Sequence, residues 1–158
     1  MALERNRASM SENPLDDTYR YERDLVAAFV DSLAADGLFG IQEIALEFDY
    51  RRGRTDIIAV SSDGRVIAFE AKLSNWRDAM YQAYRNTCFA AESYIVMPRA
   101  AALRAAAHSQ AFVDRGVGIC SMSATGADII HPAPKRAKVI EPWLAKRAAQ
   151  YASSSSGE

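Results

Sequence analysis

Two apolar runs, Ile57-Ile58-Ala59-Val60 and Val66-Ile67-Ala68-Phe69, are separated by five residues, Ser61-Ser62-Asp63-Gly64-Arg65. Short runs rich in β-branched residues and bounded by turn formers read as strands, and the short gap makes them a hairpin. Neither run alternates apolar with polar residues. Both strands must therefore be covered on both faces, which places them at the centre of a sheet with helices on each side. Each run is continued by charge: Asp56 precedes the first, and Glu70 and Lys72 follow the second, so that thirteen residues separate the two carboxylates. Charges that extend doubly covered strands do not belong to a solvated face.

The register of the hairpin decides whether these charges meet. A three-residue loop Ser62-Asp63-Gly64, with Gly64 in the left-handed conformation, pairs Ser61 with Arg65 and sets Asp56 opposite Glu70. Lys72 then joins them, because residues two apart share a face. A two-residue Asp-Gly turn pairs Asp56 with Ala71 instead and sends the carboxylates to opposite faces. Convergence needs the longer loop or a bulge.

Two carboxylates on adjacent strands repel each other, and a neighbouring cation must offset that repulsion. Lys72 can do so as a plain ion pair. Mg²⁺ does it better, because it takes carboxylate oxygens together with waters and phosphate oxygens. The strings GRTDIIAV and RVIAFEAKL, joined by SSDG, resemble the PD-(D/E)xK nuclease superfamily, with Thr55 at the motif's nominal proline. The resemblance covers residues 18 to 134. It implies a restriction-endonuclease-like α/β core and a metal-dependent nuclease that hydrolyses phosphodiester bonds in DNA and leaves a 5′-phosphate. The expected cofactor is Mg²⁺, with Mn²⁺ able to substitute. Asp56, Glu70 and the carbonyl of Ala71 are the expected metal ligands, and Lys72 the group that positions the attacking water. Glu22 on the first helix matches the family's supporting acidic residue, and Gln82, on the helix after the E-x-K strand, matches a glutamine that faces the active site. From the residues alone Glu22 is equally a first-turn glutamate that favours a helix N-terminus, and Gln82 an ordinary surface residue.

The order predicted along the chain is α-β-β-β-α-β-α-β-β, a mixed central sheet flanked by helices. A first helix is expected from about Thr18 to Ala35, with Glu22 sharing its buried stripe. A strand follows from Ile41 to Tyr50, on which Glu43 and Glu47 read as surface or cross-strand charges. The basic turn Arg51-Arg52-Gly53-Arg54 leads into the motif strand; Arg52 and Arg54 either contact phosphates or solvate the turn. Ser74-Asn75 caps a helix from Trp76 to about Ala91, which carries Tyr84 and Arg85 as candidate nucleic-acid contacts. Strand Ser93–Pro98 should run parallel to the E-x-K strand, since a helix connects them. A helix from Ala100 to Asp114 and two short strands, Val117–Ser123 and Ala127–Pro132, complete the domain.

Residues 1–16 read as a flexible segment, 17–134 as the nuclease-like domain, and 135–158 as a basic extension with a Ser-rich tail. Within that extension Trp143 and Leu144 are expected to anchor a short helix, and its lysines and arginines either touch nucleic acid or solubilise the chain. The length of 158 residues suits one core. The net charge of −1 divides unevenly: residues 1–50 hold four basic and eleven acidic side chains, and residues 51–158 hold fifteen and nine. That asymmetry permits one basic face for a phosphate backbone. No stretch resembles a membrane span or signal peptide, and Cys88 and Cys120 lack metal-ligand spacing, so a cytoplasmic protein with reduced thiols is expected. DNA is the expected partner, with a homodimer or larger nuclease assembly possible. The competing function is a nuclease-fold module that binds nucleic acid or protein with little catalysis.

Overall fold

The computed structural model describes residues 19–156; the N-terminal segment 1–16 lies outside the described residues. The protein is α/β, with one mixed six-stranded sheet flanked by helices on both faces. The chain runs α1 (Glu22–Asp36), β1 (Ile41–Tyr50), β2 (Gly53–Ser61), β3 (Val66–Ala71), α2 (Trp76–Asn86), β4 (Glu92–Pro98), α3 (Arg99–Ala106), α4 (Ser109–Arg115), β5 (Gly118–Ser123), β6 (Gly126–His131) and α5 (Pro142–Ser156). The strands lie in sequence order across the sheet. The hairpins β1–β2, β2–β3 and β5–β6 are antiparallel, while β3–β4 and β4–β5, which are joined through helices, are parallel.

The decisive hairpin takes the longer loop. Ser61 and Arg65 are paired through the Ser61 N–H and Arg65 carbonyl at 3.0 Å, and Gly64 sits at φ 83°. Val60 therefore faces Val66 and Ile57 faces Phe69, and the register continued by one step sets Asp56 against Glu70.

One face of the sheet packs Ile57, Ile67, Phe69, Tyr94 and Val96 against Leu25, Phe29 and Leu33 of α1. Phe29 meets Phe69 edge-on with ring centroids 5.0 Å apart. The other face is covered twice. Leu144, Ala148 and Ala152 of α5 pack on Ala45, Phe48, Ile58 and Ala68. Beside them Ala79, Met80 and Ala83 of α2, three alanines of α3 and Phe112 of α4 pack on Ile95, Met97 and Ile119.

Several expectations need correction. Helix α2 stops at Asn86 rather than Ala91, because Phe89 and Ala90 turn into the core and the Ala91 N–H bonds the Val66 carbonyl. Cys88 thus lies in that turn and not on a helix; both cysteines are buried and free. The single helix expected from Ala100 to Asp114 breaks at Ala107-His108, and the break lets both the α3 alanines and Phe112 reach one core. The C-terminal extension is not a tail: residues 142–156 form a helix that completes the second layer, seated by Leu144, while Trp143 stays 64% exposed. Among the described residues no helix is long and apolar enough to cross a membrane.

Leu144→Ala should destabilise the protein by about 2–4 kcal/mol in denaturant titration, the usual cost of emptying a buried leucine site. A loss below about 0.5 kcal/mol, the scale of surface substitutions, would mean that α5 does not complete the core.

Candidate active site

The β2–β3 ladder ends at Ile57–Phe69, and the charged residues begin one step further on. There the Ala71 N–H donates to Asp56 Oδ2 at 2.9 Å. The carboxylate takes a backbone donor that the ladder no longer uses, which ties the two strand ends together. Glu70 is only 1% exposed. Its Oε2 accepts a hydrogen bond from Asn86 Nδ2 at 2.6 Å, and the Asp56 carboxylate lies close enough to act on it electrostatically. Asn86 is itself fixed from its other end: its Oδ1 accepts from Tyr50 Oη and Thr55 Oγ1, both at 2.8 Å. Thr55, at the position of the motif's nominal proline, is therefore a working hydrogen-bond donor.

Burial, reinforced by the Asp56 charge, pushes the Glu70 carboxyl up to about 8. Burial also raises Asp56, against the pull of the Ala71 N–H and the Lys72 charge. Two carboxyls so close and so poorly hydrated favour the neutral form of Glu70. A divalent cation answers the same electrostatic demand, and hard carboxylate oxygens are what Mg²⁺ and Mn²⁺ prefer.

Lys72 approaches from the next position on the strand. Its ammonium lies 2.9 Å from Asp78 Oδ2, and that hydrogen bond, with the charges of Glu22, Asp78 and Asp56, raises its pKa above the ordinary lysine value. The group is cationic at neutral pH. Gln82 Nε2 stands 3.5 Å from the same Asp78 oxygen, at the long limit for a hydrogen bond. Its connection to Lys72 runs through Asp78.

On the α1 side a cleft of about 400 Å³ is lined by Glu22, Arg23, Val26, Ala27, Leu46, Glu47 and Asp56. Glu22 does not share the buried stripe of α1: it is exposed in the first turn, where the helix overhangs the end of the core. Glu47 has φ 58°, a left-handed conformation rare for a non-glycine residue. The turn breaks the alternation of β1. Ala45 and Phe48, three apart, both enter the α5-side core, and Leu46 and Glu47 are both exposed and line the cleft with Asp56.

The remaining sequence candidates are dispersed. Arg54 pairs with Asp49 at 2.8 Å and with Glu47 at 3.7 Å on the surface. Arg52 is exposed and supplies its carbonyl to Arg85 Nη1 at 2.9 Å. Arg85 lies against Gly53, where an added Cβ would stand 2.7 Å from Nη1. Its Nε is buried without a hydrogen-bond partner, and its charge pulls the Glu70 pKa down. Tyr84 is exposed on the outer side of α2. Ala71 contributes its N–H to Asp56. Among the described residues no three His, Cys, Asp or Glu side chains form a ready-made metal cage. Asp56 and Glu70 are the two carboxyls that the strand ends bring together, and Glu22 and Glu47 border the cleft beside Asp56.

Asn86, Asp78 and Glu47 were not singled out as site residues from sequence. Asn86 left a trace, since a polar residue continues the stripe Ala79–Ala83 at helical spacing, and Asp78 stands four before Gln82. Glu47 left none, because its placement depends on the kink.

No family model matches the chain, and no curated protein matches it. Among solved structures it is similar to SPO1766, a protein of unknown function from Silicibacter pomeroyi, with TM-score 0.58 and 20% identity over 84% of each chain. It also matches a repair endonuclease from Pyrococcus abyssi, with TM-score 0.47 and 18% identity over 64% of this chain and 46% of that one. A third match is SfsA of Pyrococcus furiosus in complex with Ca²⁺, with TM-score 0.38 and 14% identity over 67% and 60%. At these identities the likeness to SPO1766 concerns the fold.

The raised Glu70 pKa has a stability consequence. Between the ordinary glutamate value and about 8 the folded state binds the extra proton. This contribution is complete below the unfolded pKa and is lost as pH rises through the folded one. In EDTA the melting temperature should fall by about 5 °C or more between roughly pH 5 and pH 8.5. Glu70→Gln, which keeps an acceptor for Asn86, should flatten that fall, and thermal melts across the range check it. An equal slope in both proteins would assign the titration elsewhere.

Proposed function

We propose that the protein is a metal-dependent nuclease that hydrolyses phosphodiester bonds in DNA. The observation that carries this reading is the close Asp56–Glu70 carboxyl pair at the end of the β2–β3 ladder, with Glu70 buried and the Lys72 ammonium held beside it. A buried carboxyl pair of this kind costs stability unless it serves a cation. Mg²⁺, or Mn²⁺ in its place, would be held by Asp56 and Glu70 with the Ala71 carbonyl. When bound it supplies Lewis acidity toward the phosphate and lowers the pKa of the attacking water.

The chain's own groups do the rest. Asn86 fixes Glu70 by donating to Oε2, and a donor on that oxygen favours the ionised form that a metal needs. Lys72 is kept protonated by Asp78, so it acts as a hydrogen-bond donor and a charge, not as a base. It orients a water or phosphate oxygen and stabilises the negative charge that grows in the transition state. Gln82 steadies this arrangement through Asp78, and Glu22 and Glu47 give the cleft its acidic rim. Arg85, whose charge acts on Glu70, and the exposed Arg52, whose carbonyl Arg85 holds, are candidate contacts to phosphates.

Linear, nicked, single-stranded and four-way DNA should be incubated with Mg²⁺, with Mn²⁺ and with EDTA. Cleavage is expected with either metal and none in EDTA. Lys72→Ala should lower cleavage by about 10²-fold or more while DNA binding persists. A protein that binds DNA yet cleaves none of these substrates with either metal would be a binding module.

The Asp78 link makes a finer prediction. Asp78→Asn should slow cleavage by about 10²-fold, because it releases the lysine, whereas Gln82→Ala should cost about tenfold or less. The reverse order, read from single-turnover rates, would put Gln82 on the substrate directly.

A further inference from the structure

A second cleft lies away from the Asp56–Glu70 pair, between α2 and the corner where α3 meets α4. It measures about 470 Å³ and is lined by Trp76, Arg77, Met80 and Tyr81 of α2, with His108, Gln110 and Arg115 among the facing residues. Its chemistry is planar and cationic. The Arg77 guanidinium lies 4.3 Å from the Trp76 ring centroid, and His108 stacks on Trp76 at 4.7 Å. Arg115 lies 5.3 Å from the Tyr81 ring, which is itself 55% exposed. No carboxylate lines the cleft. Among the described residues neither Arg77 nor Arg115 forms an ion pair, whereas Arg54, Arg65 and Arg99 each meet a carboxylate.

We propose that this cleft binds an unpaired strand of DNA, with a base stacked at Tyr81 beside Trp76 and phosphates met by Arg77 and Arg115. Uncompensated guanidiniums draw the backbone, and exposed ring and guanidinium planes receive bases whatever their sequence. Duplex bases are stacked on one another and present no free faces, so a duplex could use only the two cations. The cleft is also placed to serve the candidate active site. Asp78, which holds Lys72, lies on α2 between Arg77 and Tyr81 in sequence, so one helix carries both the cleft's lining and the partner of the lysine. The inference rests on the nuclease reading for its purpose, and it narrows the substrate to DNA with a single-stranded portion: a free strand, a flap or a branch.

Binding measured in EDTA separates this from catalysis. A fluorescein-labelled thymidine oligomer of about 20 nucleotides, and a duplex of equal length, should be titrated with the full chain by fluorescence anisotropy. Tyr81→Ala should weaken single-strand binding by about tenfold, Tyr81→Phe by no more than about twofold, and duplex binding should change little in either. Arg115→Gln should weaken single-strand binding and reduce its salt dependence. In a Trp143→Phe background, where Trp76 is the remaining tryptophan, emission should be quenched saturably by the single strand and not by the duplex. Unchanged single-strand affinity in Tyr81→Ala, an equal loss for both DNA forms, or Trp76 emission indifferent to the oligomer would each overturn the proposal. The two readings fail separately. A protein that cleaves DNA with metal but shows any of these results loses only the cleft, and one that shows the expected pattern yet cleaves nothing loses only the catalysis.

Discussion

Glu70 is a carboxyl with almost no access to solvent, and an isolated one would cost several kcal/mol to bury. It is tolerated because Asn86 donates to it, because Tyr50 and Thr55 hold Asn86 in place, and because burial beside Asp56 favours its neutral form. That chain of hydrogen bonds joins three strands to one helix, and much of the architecture follows from it. Helix α2 has to deliver Asn86 at its last turn, so it ends there and the chain turns into the core through Phe89 and Ala90. Strand β2 has to present Thr55 and Asp56 together, which it does where the ladder with β3 stops. The polar network specifies the relative placement of β1, β2, β3 and α2 more narrowly than apolar packing alone, since hydrogen bonds are directional and burial is not.

Around this centre the molecule separates its charges. Carboxylates gather on the α1 side, where Glu22, Glu47 and Asp56 border one cleft, and a strained backbone at Glu47 contributes to that grouping. A left-handed non-glycine residue costs on the order of 1 kcal/mol or more and persists only where its surroundings over-determine it. Here the neighbours are Ala45 and Phe48, which both need the α5-side core. On the α2 side the exposed charges are mainly guanidiniums, stacked on aromatic rings.

The hairpin shows how much local sequence can fix. Gly64 left two loop geometries open, each with its own register, and the apolar runs required both faces to be covered. The parallel β3–β4 pair was therefore legible without coordinates, whereas the meeting of Asp56 with Glu70 was legible only for the longer loop. Helix ends were less so. Nothing in residues 100–114 announces the break at Ala107-His108, because alanine is an excellent helix former and only the reach required of Phe112 calls for the break. The serine-rich C-terminus likewise reads as a tail, and it is helical because Leu144, Ala148 and Ala152 have a surface to cover.

What the sequence determined by itself was the hairpin, the covered sheet and the three motif side chains, since each depends on contacts within about fifteen residues of chain. What only the tertiary structure decided was who attends those side chains. Asn86 meets Glu70 across 16 residues of chain and Tyr50 across 36; Glu47 comes to border Asp56 through a kink with no sequence signature; the lysine turns to Asp78 on the following helix. These are contacts between elements, set by how layers pack and where core residues must reach. A polar residue in sequence carries no mark of the partner that will satisfy it once it is buried.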